Sequence, residues 1–300
     1  PVVPPLASPD APDPTARAGS RSSAPTFRSQ DVCSRPESGI VRPSLPVGAG
    51  LLGRRPSSKG APMSRPAPYS TLRLERNGAI ATLTLARASH ANSLDLTMSR
   101  DLLHAAIELD EDPDVRAVIL TGEGKMFCAG GDLAGMKEAG ARAPAYIKEL
   151  AGNLHLAISR LARMRTPVIA AVNGTAAGAG FSLVCATDLA IAAESAKFTM
   201  AYTGAGLSPD GSSSYFLPRI IGTRRTVELM MTNRVLNSEL ALEWGLVNQV
   251  VPLDELMPAA EKLAAQLASG PTHAFGVVKK LLLNSAYDSL ESQMEHETRG

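Results

Sequence analysis

The chain is poor in aromatic residues and cysteine, carries almost no net charge and lacks any long apolar run. Aromatics make up 4% of its 300 residues, so the core must be built from aliphatic side chains. The three cysteines, Cys33, Cys128 and Cys185, are odd in number and far apart. That fits a reducing, cytoplasmic setting better than a disulfide framework. No apolar stretch approaches the roughly twenty residues that cross a bilayer, so no membrane partner is expected. With 30 basic and 29 acidic residues, the net charge of +1 leaves no electrostatic footprint for nucleic acid. The five histidines show no metal-ligand spacing, so no metal is expected.

What is present is unevenly distributed. Residues 1–68 hold 14 of the 22 prolines, with much Ser, Arg and Gly. Such a segment cannot bury enough apolar surface to offset its ordering entropy, so residues 1–67 are expected to be a disordered extension. Its excess of Arg over acid suggests a transit peptide, but its prolines would break an amphipathic helix. Met63 is the expected natural start, with the residues before it arising from over-extended translation. Residues 68–256 then form the core, and 257–300 begin a C-terminal helical region.

The ordered part opens with two alternating runs, Thr71–Glu75 and Ile80–Leu85, around Asn77-Gly78, which predicts a hairpin with a type I′ turn. Apolar spacing predicts helices over Leu94–Leu109 and Tyr146–Met164, each stopping before a proline. Buried strands are expected at 115–121, 168–172 and 188–193. Alternation of strands with helices implies an α/β fold with parallel sheets and right-handed crossovers. The Met230-Met231 pair and Leu281–Leu283 are expected to be helix core.

Two loops after strands carry the chemical interest. The first reads Phe127-Cys-Ala-Gly-Gly-Asp132, and the second Asn173-Gly-Thr-Ala-Ala-Gly-Ala-Gly-Phe181. Small residues at the start of a helix leave backbone N–H groups free and unshielded, at a terminus that favours negative charge. Two such loops suit a site in which each supplies one N–H to one oxygen. The same residues also serve close packing of helix on strand, and Cys128 is read as a buried filler.

The pair of loops resembles the enoyl-CoA hydratase/isomerase, or crotonase, superfamily. Further matches are Arg87-Ala-Ser-His-Ala-Asn92-Ser-Leu94, with Ala88 in place of the family's proline, Gly206-Leu-Ser-Pro-Asp-Gly211 and Ala241-Leu-Glu-Trp-Gly-Leu-Val247. The resemblance runs from about Tyr69 to the last residue. It implies a spiral of ββα turns followed by a helical C-terminal trimerisation region, hence a homotrimer or a dimer of trimers. The chain stops at Gly300 within a polar helical pattern, so that region is expected to be truncated.

The resemblance places the N–H groups of Gly131 and Ala179 around the thioester oxygen of an acyl-CoA. Ala129, Gly130, Gly178 and Gly180 complete the two loops. The positions where the family's hydratases carry their two glutamates hold Ser182 and Tyr202, which cannot act as carboxylate bases. By itself Asp210 reads as a turn or helix-start residue, but the resemblance matches it to the acid of the family's dienoyl-CoA and ring-opening isomerases and implies a catalytic base. Tyr202 is a candidate substrate donor or a pocket wall. Arg87, Ser89 and His90 sit where relatives contact CoA, or are plain exposed loop residues, as is Lys125. Asp132 belongs to the same binding set or ties down its loop, and Asp188 is read as a strand-start residue.

The expected activity is therefore that of an acyl-CoA isomerase in fatty-acid or aromatic-acid catabolism, resembling the phenylacetate-pathway isomerases. No cofactor is expected, since CoA is part of the substrate. The alternatives are an enoyl-CoA hydratase and a non-catalytic acyl-CoA-binding or RNA-associated member.

Overall fold

The computed structural model describes residues 69–300. The extension expected over 1–67, with its start at Met63, lies outside them. The described chain opens with an antiparallel hairpin of β1 (Leu72–Asn77) and β2 (Ile80–Leu85), in which Asn77 pairs with Ile80. That register puts Gly78 and Ala79 at the turn centre, one residue later than the sequence suggests. Gly78 has φ +58° while Ala79 stays outside the positive range. A type I′ turn needs positive φ at both central residues, so this turn, with glycine first, is of the II′ kind instead.

The chain then runs through α1 (Leu96–Glu111), β3 (Ala117–Gly122), β4 (Met126–Cys128), α2 (Leu133–Glu138) and α3 (Ala143–Arg163). Next come β5 (Val168–Val172), β6 (Thr175–Ala177), α4 (Ala179–Cys185), β7 (Leu189–Ala193) and β8 (Lys197–Thr199). Helices α5 (Ser213–Ile221) and α6 (Thr223–Thr232), strand β9 (Leu236–Asn237), α7 (Ser238–Glu243) and β10 (Gln249–Val251) follow. The C-terminal helices are α8 (Leu256–Ser269), α9 (Thr272–Asn284) and α10 (Leu290–Arg299).

Six strands form one sheet in the order β1-β2-β3-β5-β7-β10, and four form a second in the order β4-β6-β8-β9. Each repeat of the fold puts one strand in the first sheet, the next in the second, and then a helix. β3-β4, β5-β6 and β7-β8 follow this rule. In the opening turn the second strand has shrunk to a single parallel bridge, Leu94 to Gly131. Leu94 is thereby taken out of the helix expected to begin there; α1 starts at Leu96, capped by the Asp95 carboxylate accepting from the Met98 N–H at 2.7 Å.

Alternation along the strands explains the core. Ala117, Ile119, Ile169, Ala171, Ile191 and Ala193 face one side of the large sheet and pack on Leu256, Ala260, Ala264 and Ala268 of α8. Their neighbours Val118, Leu120, Val168, Ala170 and Val172 face the other side, into the main core beneath α1 and α3. A sheet covered on both faces reads as continuous apolar runs. The alanines of α8 recur every fourth residue, so one narrow stripe of small side chains meets the sheet. The helix-core expectation for 230–231 and 281–283 needs correction: Met230 packs on the core, but Met231 is 74% and Leu282 69% exposed. Consecutive helical residues point about 100° apart, and α6 and α9 bury only one face.

Helix α9 is tied to the core by Lys279. Its ammonium donates to the carbonyls of Leu161 (2.9 Å) and Thr166 (3.1 Å) and pairs with Asp188 at 2.7 Å. Asp188 also accepts from the Val168 N–H, fixing the start of β5. Burial lowers the Lys279 pKa and raises that of Asp188; the pair opposes both shifts. Lys279→Met should lower the unfolding free energy by about 2–3 kcal/mol, below the range for a fully enclosed pair because Asp188 keeps some solvent. Urea denaturation of the two proteins checks this.

Candidate active site

The first loop approaches the site through the Leu94 bridge. The Leu94 N–H donates to the Gly130 carbonyl at 2.7 Å, and the Asp132 N–H to the Leu94 carbonyl at 2.9 Å. A parallel bridge of this kind uses the groups flanking Gly131 and turns the Gly131 N–H away from it. In the second loop Gly178, at φ +50° and ψ −121°, turns the chain into α4. Only glycine adopts that conformation readily. Ala179 is thus the first residue of α4, where an N–H has no partner within the helix.

The two loops touch backbone to backbone. A Cβ on Gly180 would lie 2.4 Å from the Cys128 carbonyl oxygen, and one on Gly130 would lie 2.9 Å from the Ala177 oxygen and 3.4 Å from the Ala179 nitrogen. Two amides, the buried Asn92 and the half-buried Asn173, lock this contact from behind. Asn92 accepts from the Arg87 N–H and donates to the carbonyls of Glu123 and Met126 at 2.9 and 2.8 Å. Asn173 accepts from the Gly122 N–H and donates to the Gly124 carbonyl. Cys128 is fully buried under the loop, and burial pushes its thiol up to about 12, which leaves it an inert filler.

Gly131 and Ala179 open onto a cavity of about 220 Å³ that Ala129, Gly130, Gly178, Tyr202 and Asp210 also line. The rest of its wall is apolar, chiefly Met136, Ile147, Leu150, Leu154 and Leu207. Six of the expected binding residues stand outside this wall or behind it, Gly180 among them, packed on the Cys128 backbone. Arg87 donates to Asp132 at 3.1 Å and pairs with Asp95 at 3.2 Å. Asp132 caps α2 by accepting from the N–H groups of Ala134 and Gly135. Burial alone would raise the Asp132 pKa, but the Gly135 N–H and Arg87 outweigh it and hold the carboxyl below its usual range. Ser89 and His90 lie on the exposed turn Ala88–His90, bonded to each other at 3.0 Å. Ser182 is wholly buried.

Ser182 nevertheless matters to the site. Its hydroxyl lies 2.9 Å from the Tyr202 hydroxyl, and both reach the Asp210 carbonyl oxygen, at 2.8 and 3.1 Å. The Ser213 hydroxyl donates to the same oxygen at 2.9 Å. Three hydroxyls thus pin the Asp210 backbone while its carboxylate stays free of them. Burial raises the Tyr202 phenol above its ordinary range, so it remains a neutral donor. Ala201 and Ser212, on either side, hold φ of +54° and +66°. A left-handed conformation costs a non-glycine residue about 1–2 kcal/mol, so the clamp works against local strain.

The Asp210 carboxylate meets a partner that sequence reasoning missed. The His155 Nε2 on α3 lies 2.6 Å from its Oδ1. The two are 55 residues apart, and His155 falls on the exposed phase of its helix, where a histidine carries no signal. The cap of α5 is Ser212, not Asp210. Among the described residues no group of three His, Cys, Asp or Glu side chains gathers as a metal site, and no helix is long and apolar enough to cross a membrane.

Comparison with known proteins agrees with this architecture. The model of the enoyl-CoA hydratase/isomerase family matches residues 75–299. The chain is 37% identical to 4-chlorobenzoyl coenzyme A dehalogenase-2 of an Arthrobacter species, over 75% of this chain and 82% of that protein. It is also 37% identical to the 1,2-epoxyphenylacetyl-CoA isomerase of Escherichia coli K12, over 73% and 84%. A Thermobifida fusca enoyl-CoA hydratase solved with CoA superposes with a TM-score of 0.70 at 31% identity, covering 77% of this chain and 91% of that one. The chain belongs to the enoyl-CoA hydratase/isomerase (crotonase) family, has its α/β fold with the C-terminal helices present, and is an enzyme of acyl-CoA hydratase/isomerase type.

The glycines separate two kinds of position. Gly180→Ala must push the loops apart against backbone and is expected to destabilise by about 1–3 kcal/mol and weaken acyl-CoA binding. Gly131→Ala meets only the flexible end of Met136 and should melt near the wild-type temperature. Thermal melts with calorimetric titration of an acyl-CoA test both.

Proposed function

We propose that this member of the family is an acyl-CoA isomerase that shifts a double bond, or rearranges an unsaturated ring, in a CoA thioester. One observation carries the reading: the Asp210 carboxylate shares one small apolar cavity with the Gly131 and Ala179 amides, while the residues at 182 and 202 carry only hydroxyls. In a 3-enoyl thioester Asp210 takes a proton from the carbon next to the carbonyl. The electrons spread into a dienolate whose oxygen lies between the two N–H groups, each worth about 3–4 kcal/mol. Asp210, its side chain 40% exposed and able to exchange its proton with solvent, then delivers a proton two carbons farther along, giving the 2-enoyl thioester. One base suffices, no water is added and nothing beyond the CoA thioester is needed. Hydration calls for carboxylates to activate and deliver water, and hydroxyls at 182 and 202 do not replace them. A homotrimer or dimer of trimers accompanies this reading.

The His155 contact favours a second reading, hydrolytic dehalogenation of an aryl-CoA, in line with the name of the Arthrobacter relative. A carboxylate can attack a ring carbon and expel halide to form an ester. Water deprotonated by a nearby imidazole can then cleave that ester.

Turnover of a 3-enoyl-CoA in heavy water is expected to give labelled 2-enoyl-CoA, and Asp210→Asn to slow it about 10²–10⁴-fold. Unchanged turnover in the variant, or a 3-hydroxyacyl product formed first, overturns the isomerase. Chloride released from 4-chlorobenzoyl-CoA, and lost in both Asp210→Asn and His155→Gln, selects the second reading.

A further inference from the structure

Asp210 and Pro209 line not one cavity but two. Beyond them, away from the amide loops, lies a second space of about 540 Å³. One wall is a stripe of α3, His155, Ile158, Ser159 and Arg163, at the spacing that places residues on one helical face. The facing wall is Tyr215 and Phe216 at the start of α5, closed by Tyr287 after α9. The rings of Tyr215 and Phe216 meet edge to face at 4.9 Å, and Tyr215 stacks with Tyr287 at 6.2 Å. In a chain with 4% aromatics, three at one cavity are a concentration that straight-chain packing does not require.

The charges in this wall are unevenly matched. The Asp210 carboxylate is held by His155. Arg163, at the far end of the stripe, has no acidic partner among the described residues. Its neighbours are engaged: Arg160 pairs with Asp110 at 3.2 Å, and Arg219 lies 3.8 Å over the Tyr215 ring. Eight residues separate His155 from Arg163, about 12 Å along the helix. Arg163 therefore stands beyond the reacting carbons, at a distance that an acyl group leading away from the thioester would cover.

We propose that the second cavity receives the distal part of the acyl group and selects one that ends in a carboxylate, bound by Arg163. The proposal rests on the isomerase reading for the direction in which the acyl group leaves the amide loops. An aromatic wall suits a flat, unsaturated segment, and a guanidinium suits a planar carboxylate at its end.

The test uses two 3-enoyl-CoA substrates of equal length, one ending in a carboxylate and the other in its methyl ester. The wild-type enzyme is expected to show a KM about tenfold lower for the acid, with similar kcat. Arg163→Gln should abolish that preference and leave kcat/KM for the ester unchanged; Arg163 is exposed, and matching melting curves verify the fold. Turnover of both substrates without preference, or a preference that survives in the variant, overturns the proposal and leaves the isomerase standing. Calorimetry with the saturated acid and ester, which cannot react, separates the two readings. Arg163-dependent preference in binding without turnover of either substrate supports the cavity assignment and removes the isomerase.

Discussion

The site depends on one close contact, the backbone of the 128–131 loop against that of 177–180. Two N–H groups can face one oxygen only if the loops that carry them come within a few ångströms, and no side chain can intervene. Gly130, Gly178 and Gly180 make that approach possible. The amides are fixed before any ligand arrives, so no reorganisation is needed when charge develops between them. The same contact seals the top of the core, with the Cys128 and Phe181 side chains directly beneath it and fully buried.

Polar side chains behind the loops serve that contact. Asn92 and Asn173 bond backbone groups of the 122–126 segment and so fix the course of the chain behind the first loop. Arg87 joins Asp95, the cap of α1, to Asp132, the cap of α2, so two helix starts move with the first loop. On the opposite side of the cavity the Ser182, Tyr202 and Ser213 hydroxyls fix the Asp210 backbone. Loops that carry chemistry are here held by fully used hydrogen-bonding groups, in the way that a rigid scaffold positions mobile segments.

Much of the fold was legible in sequence because its signals are local. β5 appears over the residues that its apolar run indicates, and α3 deviates by only a few residues at its start. The hairpin was legible but its turn type was not, since the choice between Asn77-Gly78 and Gly78-Ala79 is made by strand register. The spiral was invisible as a repeat: β3, β5 and β7 begin at 117, 168 and 189, so the intervals differ greatly, and the opening turn keeps only the Leu94 bridge.

The sequence by itself determined the family, the two small-residue loops and the acid at 210, because each depends on residue types at short spacing. Tertiary structure decided which groups meet. It withdrew Ser182 from the cavity and set it with Tyr202 on the Asp210 carbonyl; it brought His155 to the Asp210 carboxylate across 55 residues, and it left Arg163 facing a second cavity. The reason is physical: a parallel α/β chain returns each strand end to one edge of its sheets, so its site is assembled from loops distant in sequence. Side-chain contacts across that edge follow from helix phase and strand register, neither of which any single segment encodes.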